Sequence, residues 1–411
     1  MKERMLERFL RYVKIDTQSS ETAGDAYPST EKQKNLLKLL VDELKELGLT
    51  DVSMDEYGYV FGTLPANVSE DIKTIGFISH VDTSPEVSGE NVKPQIHKNY
   101  QGEDIVLPGD KTQVIKFDEN PHLKEHIGHS IITSDGTTLL GADDKAGIAE
   151  IMTMLEYFST NPDVKHGTIK VGFTPDEEIG EGTKYFNVEK FGADFAYTVD
   201  GESPGEVEDE TFNASLAEFE IKGVNVHPGY AKDKMVNSIR IIGDIIHEIN
   251  SYPAPETTEK KEGFLHPYVL SGSVDESHLK VLIRDFELKG IEEKSKVLND
   301  IRNKTADKYP GAEINLTIKE QYKNMKIKLD EEPRVIEYAE KAVKMAGLEP
   351  QRHAIRGGTD GAKLCFMGLL TPNIFTGGHN FHSRLEWIAL EDMEKAVEVL
   401  INLVKIWAEE K

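Results

Sequence analysis

An α/β fold with a mostly parallel mixed sheet, interrupted by an inserted α+β domain, is predicted from three observations. Short apolar runs alternate with amphipathic helical patterns through the first half of the chain, as when helices connect the strands of one sheet. From Ala214 the order becomes strand, helix, strand, strand, helix, strand. After that block α/β elements resume, and they need the first sheet to join.

Taken in order, Met5, Leu6, Phe9, Leu10 and Val13 recur at helical spacing and read as a surface helix, with no apolar signal core. Thr74 to Ser79 is a short apolar strand, and Thr83 to Ile131 is a long Gly-, Pro- and polar-rich stretch suited to an elaborated functional loop or hairpin. Ile148, Ile151, Met152, Leu155 and Phe158 share one face of a helix from Gly147 to Phe158. Strands follow at Thr168 to Phe173 and Phe195 to Val199. The middle block then reads as strand 216–221, helix 235–249, strands 268–273 and 279–288, helix 291–306 and strand 312–319. That is the βαββαβ order of a ferredoxin-like sandwich. A strand at Thr371 to Phe375 and a helix at Leu390 to Trp407 close the chain. The expected division is therefore 1–211 with 323–411 as one domain, and 212–322 as the insertion.

A formal charge of -25 leaves no basic surface to neutralise phosphates, which excludes nucleic acid as a partner. No apolar run approaches the roughly 18 residues of a membrane span, so a soluble, cytoplasmic protein is expected. The single cysteine, Cys365, excludes an internal disulfide framework and sits among Leu364, Phe366 and Met367 as a small core side chain.

Five stretches could carry chemistry. Ile78-Ser-His-Val-Asp-Thr83 puts His80 and Asp82 on one face at the end of a strand, where an aspartate can fix the tautomer of a metal-binding imidazole. Leu140-Gly-Ala-Asp-Asp-Lys-Ala-Gly147 opens a helix with two aspartates. One suffices for capping, leaving the other free to face a site. Val171-Gly-Phe-Thr-Pro-Asp-Glu-Glu-Ile-Gly180 ends a strand in three carboxylates, and the adjacent glutamates can divide into a metal ligand and a general base. Thr198-Val-Asp-Gly201 places another carboxylate at a strand end, and Gly377-Gly-His-Asn-Phe-His382 aims two histidines from a flexible turn. Each has a bland reading as a cap, a core histidine or a solvated loop. Together they lie where open α/β sheets build their sites. Nitrogen and oxygen donors without thiolate suit catalytic zinc, cobalt or manganese, and the excess of carboxylates suggests two ions sharing one of them.

This set, His80-x-Asp82, Asp143-x-Lys145, Glu177-Glu178, Asp200-Gly201 and His379-Asn-Phe-His382, resembles the di-zinc peptidases and deacylases related to carboxypeptidase G and aminoacylase. Within that family it is most similar to the tripeptide aminopeptidases, including the 61-residue step from Asp82 to Asp143. The resemblance implies a zinc-peptidase-like catalytic domain with a ferredoxin-like lid, two Zn2+ per chain with Co2+ or Mn2+ as substitutes, and a small peptide as substrate. Asp143 would bridge the ions, Glu178 and His382 completing one site and His80 and Asp200 the other. Asp82 would orient His80, and Asp144 would be the helix cap. Glu177 would be the general base acting on a metal-bridging water. From the inserted domain, His227 would stabilise the oxyanion and Arg284 would bind the peptide carboxylate, joined by Asn237; Arg356, in a Gly-rich turn, would grip substrate backbone or carboxylate. The alternatives are a dipeptidase, carboxypeptidase or N-acyl-amino-acid deacylase of the same family and, further off, a metallo-phosphohydrolase or a metal-binding protein without catalysis. The oligomeric state is open, a homodimer included.

Overall fold

The computed structural model describes residues 1–69 and 72–409. Two compact units are present: 1–209 with 328–353 and 359–411, and 210–327 with 354–358. The first junction lies two residues earlier, and the second five residues later, than the sequence suggests. The segment 354–358, expected in the catalytic part, packs instead with the inserted unit.

The first unit is built on an eight-stranded sheet, in the order Thr50–Met54, Val60–Leu64, Ile169–Thr174, Ile75–His80, Phe195–Gly201, Asn373–Phe375, Glu206–Thr211 and Gln351–Ile355. The four strands from Ile169–Thr174 to Asn373–Phe375 run parallel, whereas Val60–Leu64 and Glu206–Thr211 join them antiparallel. Ile75–His80 is buried along its whole length, as a central parallel strand must be when both sheet faces are covered. The helix Ala142–Thr160 packs on this strand and on Phe195–Gly201, and Lys2–Tyr12 and Leu390–Glu409 pack against that helix in turn. Gly147 permits the contact, because a Cβ there would lie 1.9 Å from the Val199 carbonyl oxygen. The long stretch after Thr83 is not structureless. It supplies Gln95–His97 and Ile131–Thr133 to a small sheet with Trp387–Ala389 and Gly378–His379, over a core of Tyr100, Leu107, Leu123 and Trp387.

The second unit is a four-stranded antiparallel sheet in the order Phe264–Gly272, Glu276–Asp285, Asn213–Lys222, Glu313–Tyr322. With the helices Ser238–Ile249 and Leu288–Lys308, this is the expected βαββαβ sandwich. Its central strands Asn213–Lys222 and Glu276–Asp285 alternate between more and less buried positions, and Phe219, Val281 and Ile283 meet Ile241, Ile245 and Leu298 in one core. Truncating any of these to alanine would cost about 2–5 kcal/mol. Among the described residues no helix is long and apolar enough to cross a membrane.

Candidate metal centre

Three neighbouring parallel strands deliver their carboxyl ends to one place. His80 ends its strand opposite Thr174, Glu177 and Glu178 follow Thr174 in the turn, and Asp200 lies near the end of the next strand. Asp143 comes from the non-helical start of Ala142–Thr160, where the Asp143–Asp144 peptide is cis. His382 follows Gly378–His379 with a φ of 57°.

The ligand-type atoms form two groups sharing Asp143: His80, Asp143 and Asp200, and Asp143, Glu178 and His382, each within 4.8 Å. His80 Nε2 lies 2.9 Å from Asp143 Oδ1 and 3.4 Å from Asp200 Oδ1. His382 Nε2 lies 3.3 Å from Asp143 Oδ2 and 2.7 Å from Glu178 Oε2. His80 Nδ1 donates to the Asp82 carbonyl at 3.0 Å, which fixes the tautomer and leaves the Nε2 lone pair facing the carboxylates.

Asp82 does more than orient a ring. Its carboxylate accepts the Glu177 amide at 3.0 Å and the Glu178 amide at 3.2 Å, so one buried side chain sets the turn that carries both glutamates. The two glutamates differ. Glu178 is paired with His382, whereas no hydrogen bond or ion pair engages the Glu177 carboxylate among the described residues. Asp144 caps its helix, accepting Gly147 N–H at 3.3 Å, and accepts His80 N–H at 3.2 Å; it belongs to neither ligand group.

Burial dominates the electrostatics, and the crowding of carboxylates adds to it. Burial and Asp143 push Glu178 up to about 8, against His382. Asp200 rises to about 7 through burial and Asp143, with His80 opposing. Glu177 rises well above the carboxylate range through burial, with His80 pulling it down and Asp360, Asp200 and Glu178 pushing it up. Burial also acts on Asp143, but hydrogen bonds from His382 and His80 outweigh it and hold that carboxyl low. His382 rises to about 11 against burial, because Asp143 and Glu178 flank it. Like charges held this close require a cation or protons between them.

Other residues of this region were not singled out in the sequence, or were read too lightly. Glu386 accepts the amides of Leu140, Gly141 and Asp143 at 2.7, 2.8 and 3.1 Å, fixing the turn that presents Asp143. Asp176, readable as a mere turn residue, is fully buried and accepts the amide and hydroxyl of Ser29 and the Gln33 side chain at 2.5–2.6 Å. His379 does not join His382; it is buried in a stack with Trp387 and His122.

The candidates of the second unit do not converge in the same way. His227 is exposed and accepts Gly229 N–H, while Asn237 caps Ser238–Ile249 by accepting Ile239 N–H at 2.9 Å. Arg284 donates to the carbonyls of Ser215 and Ile283 and lies over Tyr322; no carboxylate pairs with it among the described residues. Arg356 donates to the carbonyls of Lys260 and Glu262 and covers Phe212 and Phe264, so it is engaged in holding its own unit together.

With the geometry in hand, comparison with known proteins identifies the family. Peptidase T of Clostridium acetobutylicum is 52% identical over 99% of this chain and 100% of its own length, and Peptidase T of Halothermothrix orenii is 51% identical over 98% and 99%. The fold matches the crystal structure of aminopeptidase PepT from Bacillus cereus with a TM-score of 0.77 at 24% identity, covering 100% of this chain and 99% of that one. A dinuclear metal-binding M20 peptidase from Bacillus subtilis aligns with a TM-score of 0.68 at 14% identity, over 99% and 98%. Residues 133–406 match the peptidase family M20/M25/M40, and the chain is a member of that family.

Proposed function

We propose that this chain is a metallo-aminopeptidase that removes the amino-terminal residue from tripeptides in the cytoplasm, with Glu177 as general base and two Zn2+ ions as cofactor. The observation that carries it is Asp143 shared between two ligand groups, with the unpaired Glu177 beside them. Full-length relatives at about half identity bearing the name Peptidase T support the substrate class.

The donor set fits the ions. His80 and Asp200 would hold one, Glu178 and His382 the other, and Asp143 both; nitrogen and oxygen donors without sulfur suit catalytic zinc, and the crowded carboxylates lose their mutual repulsion when dications enter. When bound, such a pair supplies Lewis-acid polarisation of the scissile carbonyl and lowers the pKa of water towards neutrality. The chain does the rest. Asp82 holds the Glu177–Glu178 turn and the His80 ring, and Glu386 holds the Asp143 turn, so the site is arranged before substrate arrives. Glu177 then takes a proton from the attacking water onto its carboxylate and delivers it to the leaving amine nitrogen.

The second unit is proposed as the substrate-binding lid. Arg284, which no carboxylate engages among the described residues, would take the peptide carboxylate with Asn237 and Arg356 in support, and His227 would face the oxyanion. The test is turnover of Ala-Ala-Ala against Ala-Ala and N-acetyl amino acids, with metal content measured in parallel. Rapid cleavage of acetylated substrates with tripeptides untouched would replace this function by a deacylase.

A further inference from the structure

Apart from the Asp143 groups, the first unit gathers a second kind of polar cluster. The elaborated stretch after Thr83 contributes His126 and His129, and the first turn of Leu390–Glu409 contributes Asp392. His126 Nδ1 lies 3.0 Å from His129 Nδ1, and His126 Nε2 lies 3.2 Å from Asp392 Oδ2. One ligand atom from each of the three falls within 4.8 Å of the others. None of these residues belongs to either Asp143 group.

The surroundings are unusual for a protein interior. Ten buried side-chain polar atoms lack a hydrogen-bond partner among the described residues. Five of them belong to this neighbourhood: both oxygens of Glu150, Asp392 Oδ2, His379 Nε2 and Trp387 Nε1. Asp392 is 5% exposed and Glu150 wholly buried. The His379 and Trp387 rings stack at 4.3 Å, and the His126 ring meets Trp387 at 5.4 Å. Buried polar atoms are normally satisfied, and each exception needs an explanation. Although Asp392 Oδ2 is within ion-pair distance of His126, it is so placed that no hydrogen bond forms. The two short contacts use opposite nitrogens of the His126 ring, so an ion shared by all three residues takes one of them, with the donor atoms of the three residues within 4.8 Å of one another.

We propose that His126, His129 and Asp392 form a further metal site, separate from the dinuclear centre, that takes a first-row divalent transition ion such as Zn2+ or Co2+. One nitrogen from each imidazole and one carboxylate oxygen make an N,N,O donor set of the type such ions prefer over Mg2+ or Ca2+. Burial and the neighbouring His129 and His122 push His126 down to about 4, so its ring is neutral and ready to coordinate near pH 7. Burial, Glu391 and Glu125 push Asp392 up to about 8. Binding therefore displaces the carboxyl proton of Asp392 to solvent. The dication would also offset the field at Glu150, whose carboxyl burial and Asp392 drive far upward. His129 is only half-buried and His122 is exposed, giving the ion a way in from a strongly anionic surface. Bound there, the ion would tie the 121–129 segment to the last helix, behind the turn that leads from His379 to His382.

The experiment compares full-length wild type with His129→Ala, both equilibrated with excess Zn2+, dialysed, and counted for metal per chain, then repeated with Co2+ and its visible d–d absorption. The expected result is one equivalent fewer in His129→Ala and the loss of one set of Co2+ bands. Because the readout is a difference between two proteins, it does not depend on how many ions the Asp143 groups hold, and it can fail while the dinuclear reading stands. Equal metal counts and superimposable Co2+ spectra would overturn the proposal, leaving His129, His126 and Asp392 as a buried polar cluster that holds no ion. If His129→Ala does not fold, His129→Phe at the same half-buried position is read by the same two outcomes. If that also fails, a wild-type Co2+ titration that saturates with no bands beyond those surviving in His126→Asn overturns it equally.

Discussion

In the first unit, side chains from five separate segments end within a few ångströms of one another. In the second, four candidate residues are each satisfied by their own neighbourhood. The difference follows from what holds each side chain. The backbone amides of His80, Asp143, Glu177 and Glu178 donate to the buried carboxylates of Asp144, Glu386 and Asp82, and the Asp82 carbonyl holds the His80 ring, at the ends of buried strands and the start of one helix. His227 and Asn237 lie on turns that begin a 3-10 helix and an α-helix, and the capping bonds they make are the ordinary task of such residues. Chemistry that needs sub-ångström placement suits the rigid sheet end, and in the proposed reading recognition falls to the second unit.

Four changes would break or sharpen this contrast. The largest effect is expected from Glu177→Gln, which should lower kcat by roughly 10²- to 10⁴-fold. Metal content should stay at the wild-type level, and a variant that turns over normally removes the base assignment. Next, Gly147→Ala drives a Cβ into the Val199 carbonyl and should cost about 3 kcal/mol, read as a lower midpoint in urea. An unchanged midpoint would mean that the helix does not approach the sheet as closely as described. Third, Asp82→Ala removes the carboxylate that accepts the Glu177 and Glu178 amide hydrogen bonds and lies 3.3 Å from His80 Nδ1, and metal affinity should drop about 10- to 100-fold while Glu177, Glu178 and the Asp82 carbonyl contact to the His80 ring remain. Competition with a chelator measures it, and wild-type affinity would reduce Asp82 to a bystander. The smallest is Asn237→Ala in the second unit, worth about 1 kcal/mol of helix capping. A rise in KM for Ala-Ala-Ala beyond what that stability loss explains would give Asn237 a substrate contact as well; unaltered kinetics would leave it a cap.

Much of the fold was legible because periodicity is local. The alternation of Ile169, Val171 and Phe173 and the helical face of Ile148, Ile151 and Leu155 are written within single elements, and all six are buried as their spacing requires. The βαββαβ block was readable for the same reason. The stretch from Thr83 to Ile131 was not, because its strands are two or three residues long, Gln95–His97 pairing with Ile131–Thr133 and the latter in turn with Trp387–Ala389, beyond the reach of any window. Likewise, nothing in the run ending at Glu386 says that its carboxylate reaches amides 246 residues earlier.

By itself, then, the sequence determined which residue types stand at the ends of which strands, and that nitrogen and oxygen donors with an excess of carboxylate surround one place. Spacing along the chain could not choose between Asp143 and Asp144, or between Glu177 and Glu178, because neighbours in sequence share every local signal. Tertiary structure made both distinctions. Asp144 is turned to cap its helix and to bind the His80 amide while Asp143 faces two imidazoles, and Glu178 meets His382 while Glu177 stays unpaired. The register of parallel strands, set by the burial of side chains far from the site, decides where each carboxylate points.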